Sequence, residues 1–226
     1  MFRTGSAPHP KYGDALSPVD RVTEIFCGLV MVLTVTLISA REIPTGPEGV
    51  NTLLRAALGG NIAWGFIDAV VYLMSQRYER ERQARLLAAV RAATDDQAIR
   101  AALDEAVDPE LVAPMSDEEA SRAFSALHAL AGRMAPVRAG LKRRDLLGAL
   151  ACFCLCVGSA LPATMPFLLF DAPVVALRVS NGVLLASLFV LGIVWAKLIG
   201  ARPLLTGFGL LLVGGALVGI TIALGG

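Results

Sequence analysis

Long apolar runs dominate the chain and alternate with short polar breaks. Five of them reach the roughly 20 residues that an α-helix needs to cross the hydrocarbon core of a bilayer. They cover about residues 22–40, 56–76, 146–170, 174–198 and 204–224. Hydrophobic residues make up 55% of the chain and charged residues only 17%, which is typical of membrane proteins. The pattern predicts an all-α integral membrane protein with five transmembrane helices and a helical cytoplasmic insert between spans two and three.

The Lys and Arg residues predict the orientation in the membrane. With a cytoplasmic N-terminus, seventeen of the 20 basic residues lie inside, and only Arg41, Arg55 and Arg178 lie outside. Because basic loops are retained in the cytoplasm, we expect a cytoplasmic N-terminus and an external C-terminus. The composition, which is rich in Arg and Ala, suits a multi-pass protein of the inner membrane of a bacterial cell.

Four segments follow from this topology. We expect a disordered cytoplasmic tail at 1–20, transmembrane helices 1–2 at 21–76, the cytoplasmic helical insert at 77–145 and transmembrane helices 3–5 at 146–226. Span two has no helix breaker after Ser75, so one long helix should run from the membrane into the insert. Within the insert, 94–97 and 116–119 have the form of capping boxes. They predict helices to about Val107 and Gly132.

Acidic residues cluster in the insert, where residues 94–119 hold nine acids against the single base Arg100. Carboxylates are hard oxygen ligands for divalent cations, so part of this cluster is a candidate metal-binding patch. Acids also favour helix N-termini and solvent-exposed helix faces, and this interpretation remains open. The candidate ligands are Asp104, Glu105, Asp108, Glu110, Asp117, Glu118 and Glu119.

Polar residues inside the spans are the candidate transport path. An ionisable group in hydrocarbon is costly and indicates function by default, and Asp68 lies midway along span two. Asn61 is two turns earlier and shares its helix face. This face could bind a cation, carry a proton or form a helix-packing hydrogen bond. Glu24 lies in the first turn of span one, at the predicted interface, and Met31 and Met74 offer soft thioether ligands.

Four cysteines, Cys27, Cys152, Cys154 and Cys156, all lie in apolar runs, so no disulfide framework is predicted. Cys152 and Cys156 share a helix face, and packing as small apolar residues is favoured over metal binding. The chain contains no His-Glu-x-x-His, G-x-S-x-G, P-loop or dinucleotide-binding motif. We therefore predict neither an enzyme nor a cofactor. A net charge of +1 gives no indication of nucleic-acid binding.

Several short strings resemble the vacuolar iron transporter family, over most of residues 20–224. They are Ser75-Gln76-Arg77 at the exit of span two, residues 158–162 followed by Pro166, residues 188–192 with Lys197 and Gly200, and Gly214-Gly215. The resemblance implies a homodimer in the lipid bilayer that exports ferrous iron or manganese from the cytosol in exchange for protons. It also implies that carboxylates and methionines of spans one and two line the path, and that insert glutamates gather metal.

The sequence differs from that family in its acids. The family has an Asp-Gly pair midway along span one, whereas residues 27–32 here contain no acid. Asp68 falls within one position of the family's span-two glutamate when Ser75-Gln76-Arg77 is aligned. Two hypotheses follow. The first is a transporter of divalent metal cations centred on Asp68; the second is a non-transporting, membrane-anchored interaction or scaffold protein of the same fold.

Overall fold

The computed structural model describes residues 16–40, 44–93, 97, 116–135 and 140–223. Within these ranges the chain forms seven helices and no strand. Their bounds are α1 Pro18–Ser39, α2 Pro47–Ala92, α3 Asp117–Arg133, α4 Arg143–Thr164, α5 Pro166–Leu169, α6 Pro173–Ile199 and α7 Pro203–Ala223.

Five helical segments of the described chain are long and apolar enough to cross a membrane. They are α1, α2, the segment Arg143–Leu169 formed by α4 and α5, α6, and Pro203–Thr221 within α7. The predicted fold class is confirmed. The helices extend a few residues beyond most of the predicted runs, and α2 continues without interruption through Ala92, as the absence of a breaker after Ser75 predicts.

Prolines and one glycine define the ends of the spans. The first positions of α1, α6 and α7 are Pro18, Pro173 and Pro203. A backbone N–H at this position has no partner within the helix, so a proline there costs no hydrogen bond. Gly200 ends α6 in the left-handed conformation, with φ 74°, which glycine adopts without steric cost. Span three is interrupted at Met165, between α4 and α5, directly before Pro166, which has no N–H for the next helical hydrogen bond.

The described chain forms two compact units. The first comprises Met1–Tyr72 and Arg143–Gly226. In its core, Leu33, Leu184 and Leu188 are fully buried where α1 packs against α6. Helices α6 and α7 approach closely at Gly192, where an added Cβ would lie 2.7 Å from the Cα of Gly207.

The second unit comprises Leu73–Lys142, with the C-terminal part of α2 and all of α3. The capping box predicted at 116–119 is confirmed: the Ser116 hydroxyl accepts the Glu119 N–H, and the Glu119 carboxylate accepts the Ser116 N–H. Helix α3 ends at Arg133, one residue beyond the predicted Gly132. The helix predicted from 94–97 to Val107 lies outside the described residues, apart from Gln97.

Candidate functional site

Two acidic side chains meet inside the apolar spans of the first unit. Glu24 of α1 and Asp68 of α2 lie close enough for their carboxyl groups to interact. Oε2 of Glu24 and Oδ2 of Asp68 are both buried and have no hydrogen-bond partner. Because a carboxylate cannot donate a hydrogen bond, the two groups can hydrogen-bond to each other only when one of them carries a proton.

Two thiols of α4 flank the carboxyl pair. Cys152 lies near Glu24, and Cys156 lies near Asp68. Both cysteines are completely buried. The four side chains come from three helices and lie near one another. We call this group the thiol–carboxyl cluster.

Asn61 joins the same three helices next to the cluster. Its side chain is fully buried, and its amide nitrogen donates to the carbonyl oxygens of Gly28 at 3.2 Å and Cys156 at 3.0 Å. The Cys156 thiol donates its S–H to the backbone oxygen of Asn61 at 3.9 Å. The Oδ1 atom of Asn61 has no hydrogen-bond partner. The amide thus holds α1 and α4 together and fixes the backbone around Cys156.

Small residues allow the three helices to approach this closely. A Cβ added at Gly28 would lie 2.1 Å from the Ser159 hydroxyl and 2.4 Å from the Cys156 carbonyl oxygen. At Gly65, an added Cβ would lie 3.3 Å from the Phe153 carbonyl oxygen.

One turn after Asp68, Tyr72 continues this packing towards the start of α4. Its ring lies over Gly148, where an added Cβ would lie 2.4 Å from the phenol oxygen. Asp145, in the first turn of α4, is almost completely buried, with 2% of its surface exposed. The buried carboxyl group of Asp145 and the phenol of Tyr72 therefore lie at the N-terminal end of α4, where span three begins.

The remaining predicted path residues take no part in these contacts. Met31 is half-buried on α1, two turns beyond Glu24. Met74 belongs to the second unit, and its side chain is 67% exposed, which suits contact with lipid or a partner. Their assignment to the path remains a prediction.

The predicted metal patch of the insert is described only in part. Asp104, Glu105, Asp108 and Glu110 lie outside the described residues, and so does the side chain of Asp117. Glu118 is exposed and pairs with Arg122 at 2.6 Å. Glu119 caps α3, and the hydrogen bonds from Ser116 hold its pKa below the ordinary value. These two contacts follow the helix-start interpretation of the acids.

Across the described residues, no group of three or more His, Cys, Asp and Glu side chains is arranged to hold a metal ion. The four side chains of the thiol–carboxyl cluster therefore form no ready metal site in the described residues. Two neighbouring carboxyl groups can hold a proton between them.

Sequence reasoning had placed Glu24 at the interface and assigned the cysteines to packing. The structure brings Glu24 close to Asp68, a neighbour that the sequence did not specify. The spacing of Cys152 and Cys156 correctly placed both on one face, but their partners lie on two other helices, which helical periodicity does not specify.

These features define a multi-pass α-helical membrane protein with ionisable groups inside its spans. The sequence model of the VIT family matches residues 65–226, which is most of the chain. The chain belongs to the VIT family, whose members are in general membrane transporters of metal ions. No curated protein matches the chain. The matched range includes Asp68, Cys152 and Cys156, whereas Glu24 and Asn61 precede it.

Proposed function

We propose that this chain exports a divalent cation, ferrous iron or manganese, from the cytosol, and that Glu24 and Asp68 bind it. The observation that carries the proposal is the contact between these two carboxyl groups inside the apolar spans. A carboxyl group in hydrocarbon is expensive to maintain, and two in contact are more so. Their buried oxygens without partners are the atoms that a divalent cation would neutralise.

Proton exchange follows from the same contact. The carboxyl pair shares a proton while its members bind each other, and a cation that takes both oxygens must displace that proton. The cation would therefore be exchanged for at least one proton in each cycle. Coupling of this kind supports counter-transport of protons, as the family resemblance implies.

The direction of transport rests on the predicted orientation. With a cytoplasmic N-terminus, Glu24 lies in the half of α1 nearer the cytosol. The junction of Asn61, Gly28 and Cys156 then lies on the outer side of the carboxyl pair. A cation from the cytosol would thus meet the carboxyl groups before it meets this junction. In the inner membrane of a bacterial cell, transport in this direction is efflux.

The wider arrangement is part of the proposal. The apolar surface of α2, including Phe66 with 64% and Val71 with 52% exposed, has room for lipid or for a second subunit of a homodimer. The insert acids would collect metal on the cytoplasmic side of the membrane. Because no three ligands are arranged around a metal in the described residues, the scaffold protein of the same fold remains the second candidate function.

Metal uptake into proteoliposomes tests the proposal. Wild type, Glu24→Gln and Asp68→Asn would be reconstituted at equal density, with ferrous iron and manganese as substrates and a pH-sensitive dye in the lumen. Asp171→Asn, a change at an exposed acid after α5, is the matched control. We expect cation flux with opposing proton flux in wild type and the control, and loss of both in the two site variants. Folded wild type that moves neither metal would favour the scaffold function.

A further inference from the structure

A groove with a volume of about 170 Å³ opens on the surface of the first unit, between α1, α6 and α7. The described residues that line it are Val22, Thr23, Phe26, Leu191, Trp195 and Leu210. Their surface is hydrocarbon except for the Trp195 indole N–H and the Thr23 hydroxyl, which donates to the Val19 carbonyl. Such a groove is a poor site for water or ions and a good one for an acyl chain.

The groove lies close to one end of the three helices that form it. Trp195 is four residues from the end of α6 at Ile199, and Thr23 is five residues from the start of α1 at Pro18. At the rise of an α-helix, both lie within about 6–8 Å of these helix ends. A phospholipid here would therefore have its head group at the helix ends and the first part of an acyl chain in the groove.

Arg202 lies at the open end of the groove, directly before α7. Its carbonyl accepts the N–H and the hydroxyl of Thr206, so residues 202, 206 and 210 continue one stripe at helical spacing. Leu210 of this stripe lines the groove. The Arg202 side chain is exposed, and neither its guanidinium nor the Trp195 indole N–H bonds to any other described residue. Two donors near the mouth of the groove thus remain available to a ligand.

We propose that this groove binds an acyl chain of an anionic phospholipid, with the Arg202 guanidinium on its phosphate and Trp195 at the level of its head group. Guanidinium groups match phosphate oxygens in geometry and charge. Tryptophan is enriched where an apolar ring meets the polar interface, and basic pockets between transmembrane helices bind anionic head groups. This lipid site goes beyond the proposed transport function and does not depend on it.

Lys197 provides a comparison of equal charge at the same end of α6. Its side chain is exposed and has no ion pair within the described residues. It follows Trp195 by two residues, which places it about 200° around the helix from that ring and away from the groove. General attraction of anionic lipid to this end of the bundle would use Lys197 and Arg202 alike, whereas a site in the groove uses Arg202.

Quenching of Trp195 fluorescence by brominated lipid tests the site directly, because bromine on an acyl chain quenches an indole only at short range. The chain has two tryptophans, so Trp64→Phe, at an exposed position of α2, leaves Trp195 as the only indole. The full-length protein would be reconstituted into bilayers of phosphatidylcholine and phosphatidylglycerol. Bromine is placed on one lipid or on the other at the same total composition, and the two quenching curves give the relative affinity.

We expect brominated phosphatidylglycerol to quench Trp195 more strongly than brominated phosphatidylcholine, both in this protein and in its Lys197→Gln variant. In Arg202→Gln the preference should fall about fivefold, the effect of one basic side chain near an anionic head group. A preference that persists in Arg202→Gln, or that falls equally in Lys197→Gln, would overturn the proposal. Equal quenching by the two lipids before either substitution would overturn it as well.

Thermal unfolding in detergent repeats the test without Trp64→Phe. A ligand that binds only the folded protein raises its Tm, so phosphatidylglycerol should raise the Tm of wild type and Lys197→Gln more than phosphatidylcholine does. Arg202→Gln should lose this difference. Inorganic phosphate at the same concentration should leave the Tm of all three proteins unchanged. A rise with phosphate equal to that with phosphatidylglycerol would assign the site to a free anion and refute binding of a lipid.

Discussion

Replacement of Gly28 by alanine should push α1 and α4 apart. It should thereby disturb the candidate site without removing any of the side chains that form it. The added Cβ would lie 2.4 Å from the Cys156 carbonyl oxygen, whereas ordinary contacts begin at 3.4 Å. The helices must therefore move apart by about 1 Å, because a backbone oxygen cannot rotate away. Overpacking of this kind costs about 1–3 kcal/mol, and each kcal/mol lowers the Tm of a chain of this size by about 2–4 °C.

Two further variants identify the atom responsible. Gly158→Ala is the control, because its Cβ would meet nothing within 4 Å, and alanine is the better helix former. Gly28→Ala combined with Ser159→Ala removes the hydroxyl that lies 2.1 Å from the new Cβ. The clash with the Cys156 carbonyl remains, so the double variant should stay destabilised.

Thermal unfolding in detergent, followed by circular dichroism, measures the effect, and metal flux measures its functional consequence. We expect Gly28→Ala to unfold several degrees below Gly158→Ala and to transport more slowly, because the Asn61 bonds to Gly28 and Cys156 stretch. Equal Tm values for the two variants would show that α1 and α4 are not packed as described. Full recovery in the double variant would assign the strain to Ser159 alone.

Three shorter predictions concern other parts of the chain. The Ser116 hydrogen bonds lower the pKa of Glu119, so they should stabilise the start of α3 at neutral pH. This stabilisation should be lost as the pH falls below the ordinary glutamate pKa. Hydrogen exchange at the start of α3 should show this pH dependence in wild type and lack it in Glu119→Gln. Arg91→Leu removes donors to the Ala131 carbonyl at 2.9 Å and to that of Met134, so amide exchange in the last turn of α3 should accelerate, and unchanged exchange would contradict the capping role. Gly192→Ala places a Cβ 2.7 Å from a backbone atom of α7 and should lower the Tm by several degrees relative to Gly209→Ala, which meets nothing within 4 Å.

The spans could be predicted because length and apolar composition are local properties of the sequence. The same holds for the capping box at Ser116 and for the unbroken helix after Ser75, since each depends on a few neighbouring residues. Single-helix reasoning also placed Asn61 and Asp68 on one face. None of these features requires knowledge of which helices are neighbours.

The thiol–carboxyl cluster could not be predicted in the same way. Glu24, Asp68 and the two cysteines lie on three helices, and their contacts depend on how far each helix is shifted along its neighbour. That shift is set by the close approaches at Gly28, Gly65 and Gly148. Glycine in an apolar span permits close packing, but the pattern does not name the partner. The neighbours of Glu24 and of the two cysteines were therefore not specified by the sequence.

The position of the span-one acid supports one further prediction. The resembling family has its acid directly before a glycine midway along span one, where this chain has Cys27-Gly28, and Glu24 lies one turn earlier. Residues three apart lie on the same side of a helix, and Cys27 is half-buried. An acid at either position could therefore reach Asp68. We expect Glu24→Gln to abolish cation flux, and the added change Cys27→Asp to restore a measurable part of it.

An acid on the wrong face provides the matched control. Thr23 is exposed, so Glu24→Gln with Thr23→Asp has the same net charge as the rescued variant but presents its carboxylate away from Asp68. Restoration by Cys27→Asp alone would mean that span one needs one acid facing α2, at either of two adjacent turns. Equal restoration by Thr23→Asp would reduce the requirement to net charge near the membrane surface. Failure of the folded Cys27→Asp variant would make the contact between Glu24 and Asp68 specific to the glutamate.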